Sequence, residues 1–284
     1  MLTSRFAPSP TGQLHLGHAY SALLAHKAAD EGGGRFLLRI EDLDPTRSRP
    51  EFVDAIEEDL RWLGLEWAGE PLVQSQRGEI YAQALDSLKS AGLVYPCFCT
   101  RSDIAAALSA PHGPAAGRYP GTCRGLADDP ERRLNMPHSW RLDAAEAIQR
   151  VGLPGWIEAG GKTFTSSASA SAIDDEILAR KDAPASYHLA CVVDDAASGV
   201  TLVVRGMDLR ESTPVQRLLQ MLLGLPPPVY LHHKLVVHED GRRLAKRDRA
   251  PTLQSLRANG VHGTDVAQAL RNGALPSGFR LADA

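Results

Sequence analysis

The first 65 residues alternate short apolar runs with amphipathic segments, and this alternation restricts the fold more than any other feature of the chain. Residues 3–7 read as a short strand, stopped by Pro8 and Pro10. From His15 the period changes: Leu16, Tyr20, Leu23, Leu24 and Lys27 recur at three- and four-residue spacing, and Gly32-Gly33-Gly34 ends the run. Arg35–Ile40 is a compact apolar strand. A second helix follows, with Pro50 near its first turn and Phe52, Ile56, Leu60 and Leu63 on one face. Strand, loop, helix, strand, helix is the grammar of a parallel sheet. The expected fold class is therefore α/β, a Rossmann-like parallel sheet.

Further along, the pattern predicts a helix over 76–91, strands near 186–193, 200–204 and 235–238, a helix over 213–223 and a short helical tail after Arg249. Between Tyr95 and Asp129 lie three of the four cysteines and an Ala/Gly/Pro-rich centre, which reads as a helix-poor inserted module. The expected division is 1–94 and 131–225 as two halves of a nucleotide-binding catalytic domain, 95–130 as an insertion, and 226–284 as a stem with a short tail.

Composition narrows the function. A net charge of −3 is not that of a protein that coats nucleic acid, so any RNA contact must come from local basic patches. No apolar run is long enough to span a membrane, and no secretory leader is read at the start, so a cytoplasmic protein with reduced thiols is expected.

The first loop carries the chemistry. Pro8-Ser-Pro-Thr-Gly-Gln-Leu-His-Leu-Gly-His18 joins a strand to a helix start, where unpaired N–H groups and the positive end of the helix dipole attract phosphate. Gly17 lets a ligand lie against the backbone, and His15 and His18, three residues apart, share a helical face from which they can donate to developing phosphate charge. A second basic cluster runs from Arg242 to Arg249. Cys97-x-Cys99 and Cys123 offer three zinc ligands, and general chemistry favours His112 or His138 over a phenol as the fourth. Cys191 reads as core.

The string Arg5-Phe-Ala-Pro-Ser-Pro-Thr-Gly-Gln-Leu-His-Leu-Gly-His18 resembles the signature of the class I glutamyl- and glutaminyl-tRNA synthetases. Arg243-Leu-Ala-Lys-Arg247 is similar to that family's Lys-Met-Ser-Lys-Ser loop, with Lys246 at the second lysine; Arg243 and Ala245 depart from it. The resemblance runs over nearly the whole chain, as far as the catalytic half of those enzymes. It implies ATP, with Mg2+, bound at Pro8, Gly17, His18, Arg243 and Lys246, and catalytic roles for His15, His18 and Lys246. It implies glutamate bound at Arg5, Phe6, Ala7, Pro8, Ser9, Glu41 (on the ammonium), Tyr187 and Arg205. Arginines at strand ends suit a substrate with two carboxylates, because a guanidinium grips each through paired hydrogen bonds. Cys-x-Cys followed by Tyr-x-x-x-Cys resembles a small group of synthetase-like proteins and implies one structural zinc held by Cys97, Cys99, Tyr119 and Cys123.

Only a short tail follows Arg247, so no anticodon-binding domain is expected. That feature resembles the paralogues that activate glutamate without tRNA and transfer it to queuosine at the wobble position of tRNA(Asp). A monomer is expected on the same ground. The alternatives are a truncated synthetase charging the 3′ end of tRNA(Glu), and a non-catalytic RNA-binding paralogue.

Overall fold

The structure is a computed structural model and describes every residue except 109–117, 128, 166–172, 245–250 and 284. Four buried residues form strand β1, Thr3–Phe6, and the two prolines beyond it end the pairing. Helix α1, Leu16–Glu31, buries Leu16, Ala19, Ala22, Leu23, Ala25 and Ala29; the small side chains let it lie close over the strands. Its end requires glycine, because a Cβ on Gly34 would stand 1.8 Å from the Leu2 carbonyl oxygen. Strand β2, Arg35–Ile40, then pairs in parallel with β1, Thr3 opposite Arg35. Helix α2, Pro50–Trp62, turns Ile56 and Leu60 inward, and β3, Leu72–Val73, extends the sheet beside β2. Helix α3 covers Gly78–Ser90.

The middle of the chain is a second unit of structure. Strand β4, Val94–Cys97, leads into helix α4, Arg101–Leu108, and helix α5, Pro130–Asn135, into strand β5, Ser139–Leu142. Helix α6, Ala144–Val151, and the hairpin of β6, Gly155–Ile157, with β7, Thr163–Thr165, lead to β8, Ile177–Arg180. Strands β4, β5 and β8 form an antiparallel sheet with β5 in the centre.

The chain then returns to the first sheet through helix α7, Tyr187–Ala197, and strand β9, Leu202–Gly206. The Thr201 N–H donates to the Thr3 carbonyl at 2.9 Å, which sets β9 beside β1. Helix α8, Thr213–Leu222, separates β9 from its parallel partner β10, Val229–His233. Strand β11, Leu235–His238, helix α9, Leu253–Ala258, helix α10, Gly263–Arg271, and strand β12, Phe279–Ala282, complete the chain.

Three expectations are corrected. Residues 186–193 are not a strand but the start of α7: the Ser186 side chain accepts the Leu189 N–H as an N-cap, and seven consecutive residues from Leu189 to Asp195 are buried. A helix buried all round loses its amphipathic period, and its apolar run then resembles a strand. Cys191 accordingly sits in a helix. The insertion is not helix-poor, since α4 forms where the Thr100 and Asp103 side chains each accept the other's backbone N–H, at 3.2 and 2.7 Å, ahead of three alanines. The tail carries β12, which pairs antiparallel with β11 as well as two helices.

Candidate active site

A cavity of about 520 Å3 opens at the carboxyl ends of β1, β2 and β9, where ligands of parallel sheets bind. It gathers most of the residues singled out from the sequence: Arg5, Ala7, Ser9, His15, Gly17 and His18 from one side, with Glu41, Tyr187, Arg205 and Arg243 around them. Phe6 faces the other way, into the core. Pro8 is buried outside the lining, and its carbonyl accepts the Glu41 N–H at 3.0 Å, fixing the loop against the end of β2. Lys246 lies outside the described residues. The segments flanking it are placed at the cavity: Leu244 lines it, and Thr252 forms a strand bridge with His15 while the Leu253 N–H donates to the Leu14 carbonyl at 2.9 Å.

The start of α1 explains the two histidines. His15 is the N-cap, and its Nδ1 accepts the Gly17 N–H at 3.1 Å; His18 Nδ1 accepts the His15 N–H at 3.2 Å. An Nδ1 that accepts a backbone proton places the ring's own proton on Nε2, so each neutral ring presents an Nε2–H donor. The rings lie 3.8 Å apart. A Cβ on Gly17 would stand 3.0 Å from the His15 ring and 3.8 Å from Leu244, so glycine is what allows cap, ring and following loop to meet.

Beneath the cavity is an ion network. Arg5 Nε donates to Asp195 Oδ1 at 3.0 Å, and Arg39 reaches the same oxygen while its Nη2 donates to Glu41 Oε1 at 3.0 Å. Burial alone would raise the Asp195 pKa; the Arg39 and Arg5 guanidiniums override it and hold the carboxyl well below the usual range. Burial pushes Glu41 up against the pull of Arg39. Cys191 Sγ lies 3.3 Å from Arg39 Nη2, with burial raising the thiol to about 11, so it stands there neutral. Neither Arg39 nor Asp195 was singled out from the sequence. The available signal was Asp194-Asp195 at the end of Leu-Ala-Cys-Val-Val, since adjacent carboxylates on an apolar run are buried only when paired.

Arg205 differs. It is 4% exposed, yet its partners are neutral: Nη1 donates to Gln216 Oε1 at 2.6 Å, Nη2 to Thr213 Oγ1 at 2.8 Å and Nε to His232 Nε2 at 3.1 Å. His232 Nδ1 in turn bonds Glu158 Oε1 at 2.6 Å. Burial and the adjacent Arg205 lower the His232 pKa, which keeps the ring neutral and able to accept from the guanidinium. Among the described residues no carboxylate lies within 4 Å of Arg205, and Glu158 reaches it only through the His232 ring, while the guanidinium lines the cavity. Tyr187 stands on the same wall, and burial raises its hydroxyl pKa, leaving it a proton donor. A buried anchored cation, a carboxylate at Glu41 and a helix start with two N–H donors together suit an anionic amino acid next to a phosphate.

A separate cluster lies at the end of β4. The sulfurs of Cys97, Cys99 and Cys123 all fall within 4.8 Å of one another and could hold a metal ion. The Tyr119 hydroxyl lies 3.2 Å from Cys97 Sγ and 3.5 Å from Cys99 Sγ, and accepts the Cys123 N–H at 3.0 Å. Four donors with edges of this size fit a tetrahedral ion, for which bonds of about 2.3 Å give edges of about 3.8 Å. His138 is turned away, its ring against Phe98 and Trp140; His112 lies outside the described residues.

Residues 1–279 match the family model of the class I tRNA synthetases (E and Q), catalytic domain. Among curated relatives, the glutamyl-Q tRNA(Asp) synthetase of Rhodobacter capsulatus is 46% identical over 276 residues, covering 93% of this chain and 98% of that protein. The protein of that name from Nocardia farcinica is 49% identical over 252 residues, 88% of this chain and 77% of its own length. The crystal structure of glutamate-tRNA synthetase from Elizabethkingia anophelis is similar with a TM-score of 0.73 at 28% identity, over 87% of this chain. The chain spans 53% of that larger enzyme. The chain thus belongs to the class I E and Q tRNA synthetase family and, within it, to the group of glutamyl-Q tRNA(Asp) synthetases.

Proposed function

We propose that the chain activates L-glutamate with ATP in the absence of tRNA and transfers the glutamyl group to queuosine at the wobble position of tRNA(Asp). The observation that carries this reading is the buried Arg205, held by Gln216, Thr213 and His232 with no carboxylate within 4 Å among the described residues, lining the same cavity as the His15–His18 helix start. An amino acid with a side-chain carboxylate neutralises that guanidinium; glutamine would leave it underpaired. The names and coverage of the curated relatives support the same activity.

In the first step the α-carboxylate attacks the α-phosphorus of ATP. A bond from carboxylate oxygen to phosphorus forms, the bond to the β-phosphate bridging oxygen breaks, and pyrophosphate leaves. Mg2+ accompanies ATP and offsets triphosphate charge. The Nε2–H donors of His15 and His18 stabilise charge at the reacting phosphate, and Lys246, tethered beyond Leu244, follows the charge onto the leaving pyrophosphate. Gly17 and Pro8 shape the ATP side together with Arg243, while Arg5, Ala7, Ser9, Glu41, Tyr187 and Arg205 surround the amino acid, with Glu41 on its ammonium. In the second step a ring hydroxyl of queuosine attacks the adenylate carbonyl, its proton is released, and AMP leaves. No protein nucleophile is needed: catalysis is positioning and charge stabilisation.

Transfer of [14C]glutamate to tRNA(Asp) with and without queuosine, run beside tRNA(Glu), tests the reading. Alkali-labile label confined to the queuosine-containing tRNA is expected; label on the 3′ end of tRNA(Glu), or on neither, overturns it.

Zinc fits the Cys97, Cys99, Tyr119 and Cys123 donors as a structural ion, because three thiolates favour it and all four positions are filled by protein. Removing the phenol oxygen should loosen the ion without unpacking the ring, which Arg141 covers at 3.8 Å. Tyr119→Phe is expected to raise the chelator-measured zinc dissociation constant about 10- to 100-fold with glutamate activation retained; an unchanged constant would remove Tyr119 from the ligand set. A monomer working in the cytoplasm completes the reading.

A further inference from the structure

Helix α2 buries one charged side chain. Asp59 stands with Ile56 and Leu60 on the inward face, 0% exposed, and neither of its carboxylate oxygens accepts a hydrogen bond among the described residues. The only described cation within 4 Å of it is Arg257 of α9, whose Nη2 lies 3.6 Å from Asp59 Oδ1 and whose Nη1 pairs with Glu58 at the surface of α2. Leu253, Leu256 and Arg257 share one face of α9 by their spacing of three and four residues, and Leu253 is fully buried. Helix α2 holds the next element as well: a Cβ on Gly263, at the start of α10, would stand 1.9 Å from the Trp62 carbonyl oxygen.

Stability does not account for this acid. Burial raises the Asp59 pKa to about 6, Arg257 notwithstanding. The unfolded value is about 3.9, so the ionised carboxylate lowers stability at neutral pH, and the penalty fades only as pH falls from about 6 through that value. An apolar residue of similar size would avoid it. What the pair supplies is direction: apolar packing is non-directional, whereas a guanidinium held between two carboxylates fixes the roll of a six-residue helix. The other end of α9 meets the active site. Thr252 caps α9, its Oγ1 accepting the Ser255 N–H at 3.1 Å, and the same residue bridges His15, the cap of α1. The Leu253 N–H donates to the Leu14 carbonyl at 2.9 Å. The two helix starts are joined cap to cap, and the backbone that aims the His15 ring is held from α9.

We propose that Arg257 and Asp59 are positioning residues for the phosphate end of the site: they fix α9 on α2, and α9 in turn fixes His15. Neither lines the cavity, so they act through the bridge to α1 and not by touching a substrate. The proposal rests on the reading that the start of α1 meets the phosphates of ATP. It adds what holds that start in place.

The test compares the whole chain with R257A, R257K and D59N by two readouts. The first is amide hydrogen exchange of the ligand-free protein, read by mass spectrometry over Leu14–Ala19, where the Gly17 and Ala19 N–H groups bond His15 Nδ1 and the His15 carbonyl. The second is glutamate-dependent pyrophosphate exchange. R257A is expected to speed amide exchange in this segment about ten-fold or more while α3, on the far side of the molecule's sequence, keeps its wild-type rate. The kcat should fall about ten-fold, with the KM for glutamate within about two-fold of wild type, because the displaced groups serve the phosphate and not the amino acid. R257K, which keeps the charge but loses the fork, should recover part of the loss. D59N should move both readouts the same way with a urea midpoint no lower than wild type, which separates positioning from folding and decides the matter should R257A fold poorly. Amide exchange and kcat unchanged in both R257A and D59N would overturn the proposal, whatever the urea midpoint does, as would amide exchange that rises equally in α3. Faster exchange confined to Leu14–Ala19, in a protein whose wild type shows no pyrophosphate exchange, would leave the tie standing and remove the catalytic reading instead.

Discussion

Asp195→Leu is expected to lower the free energy of unfolding by about 3–5 kcal/mol, read by urea denaturation at pH 7. Asp195 is the shared counter-ion of Arg5 and Arg39, all three side chains being 6% exposed or less. Removing it leaves Arg5 without an acidic partner and Arg39 with Glu41 alone, and an uncompensated buried charge costs far more than the lost pair was contributing. The same group sets an acid limit. Its folded pKa is depressed, so its contribution is fully present above the unfolded carboxylate value of about 3.9 and is lost as pH falls from there through the folded value. Wild-type stability should therefore fall more steeply than the variant's below about pH 4. A loss under about 1 kcal/mol in the variant would mean the cluster is solvated rather than buried.

Arg205→Ala carries the largest expected effect on activity. Truncating one side of a buried charge-assisted interaction costs about 2–4 kcal/mol, so kcat/KM for glutamate in pyrophosphate exchange should fall roughly 30- to 1000-fold. The KM for ATP should stay within about two-fold, because the phosphates are placed at the other end of the cavity by the start of α1. Arg205→Lys should recover only a minor part, since an ammonium cannot reproduce three directed bonds to Gln216, Thr213 and His232 and still grip a carboxylate. If Arg205→Ala weakened ATP and glutamate equally, the assignment of Arg205 to the amino-acid side would be wrong.

The amino-terminal βαβ unit was legible because its periods are clean and its stops are explicit: Pro8 and Pro10 after β1, three glycines after α1, and Pro50 at the start of α2. The site residues carried by the first loop were legible through one long motif, and the structure gathers most of them around one cavity. What the sequence concealed is what burial conceals. Helix α7 shows no amphipathic period because both its faces are covered, one carboxylate tying Arg5 and Arg39 and its neighbour Asp194 holding Gln74, Arg77 and Tyr81. Arg39 and Asp195 stand 156 residues apart, and no spacing rule joins them. His232 and Glu158, which orient Arg205 from behind, are ordinary polar residues in their own segments, and only the fold makes them consecutive.

The separation in sequence also sets an order of events at the ribosome. Arg5 meets Asp195 across 190 residues, and the helix start at His15 is completed by the bridge to Thr252. At about 5–20 residues per second, roughly 10–40 s pass between synthesis of the first arginine and of its counter-ion. Throughout that interval the nascent β1–α1–β2 unit has two guanidiniums, Arg5 and Arg39, destined for the interior and no Asp195 to receive them. The ion network beneath the pocket can therefore be completed only after helix α7 has been made, and the bridge to His15 only after Thr252 has followed it.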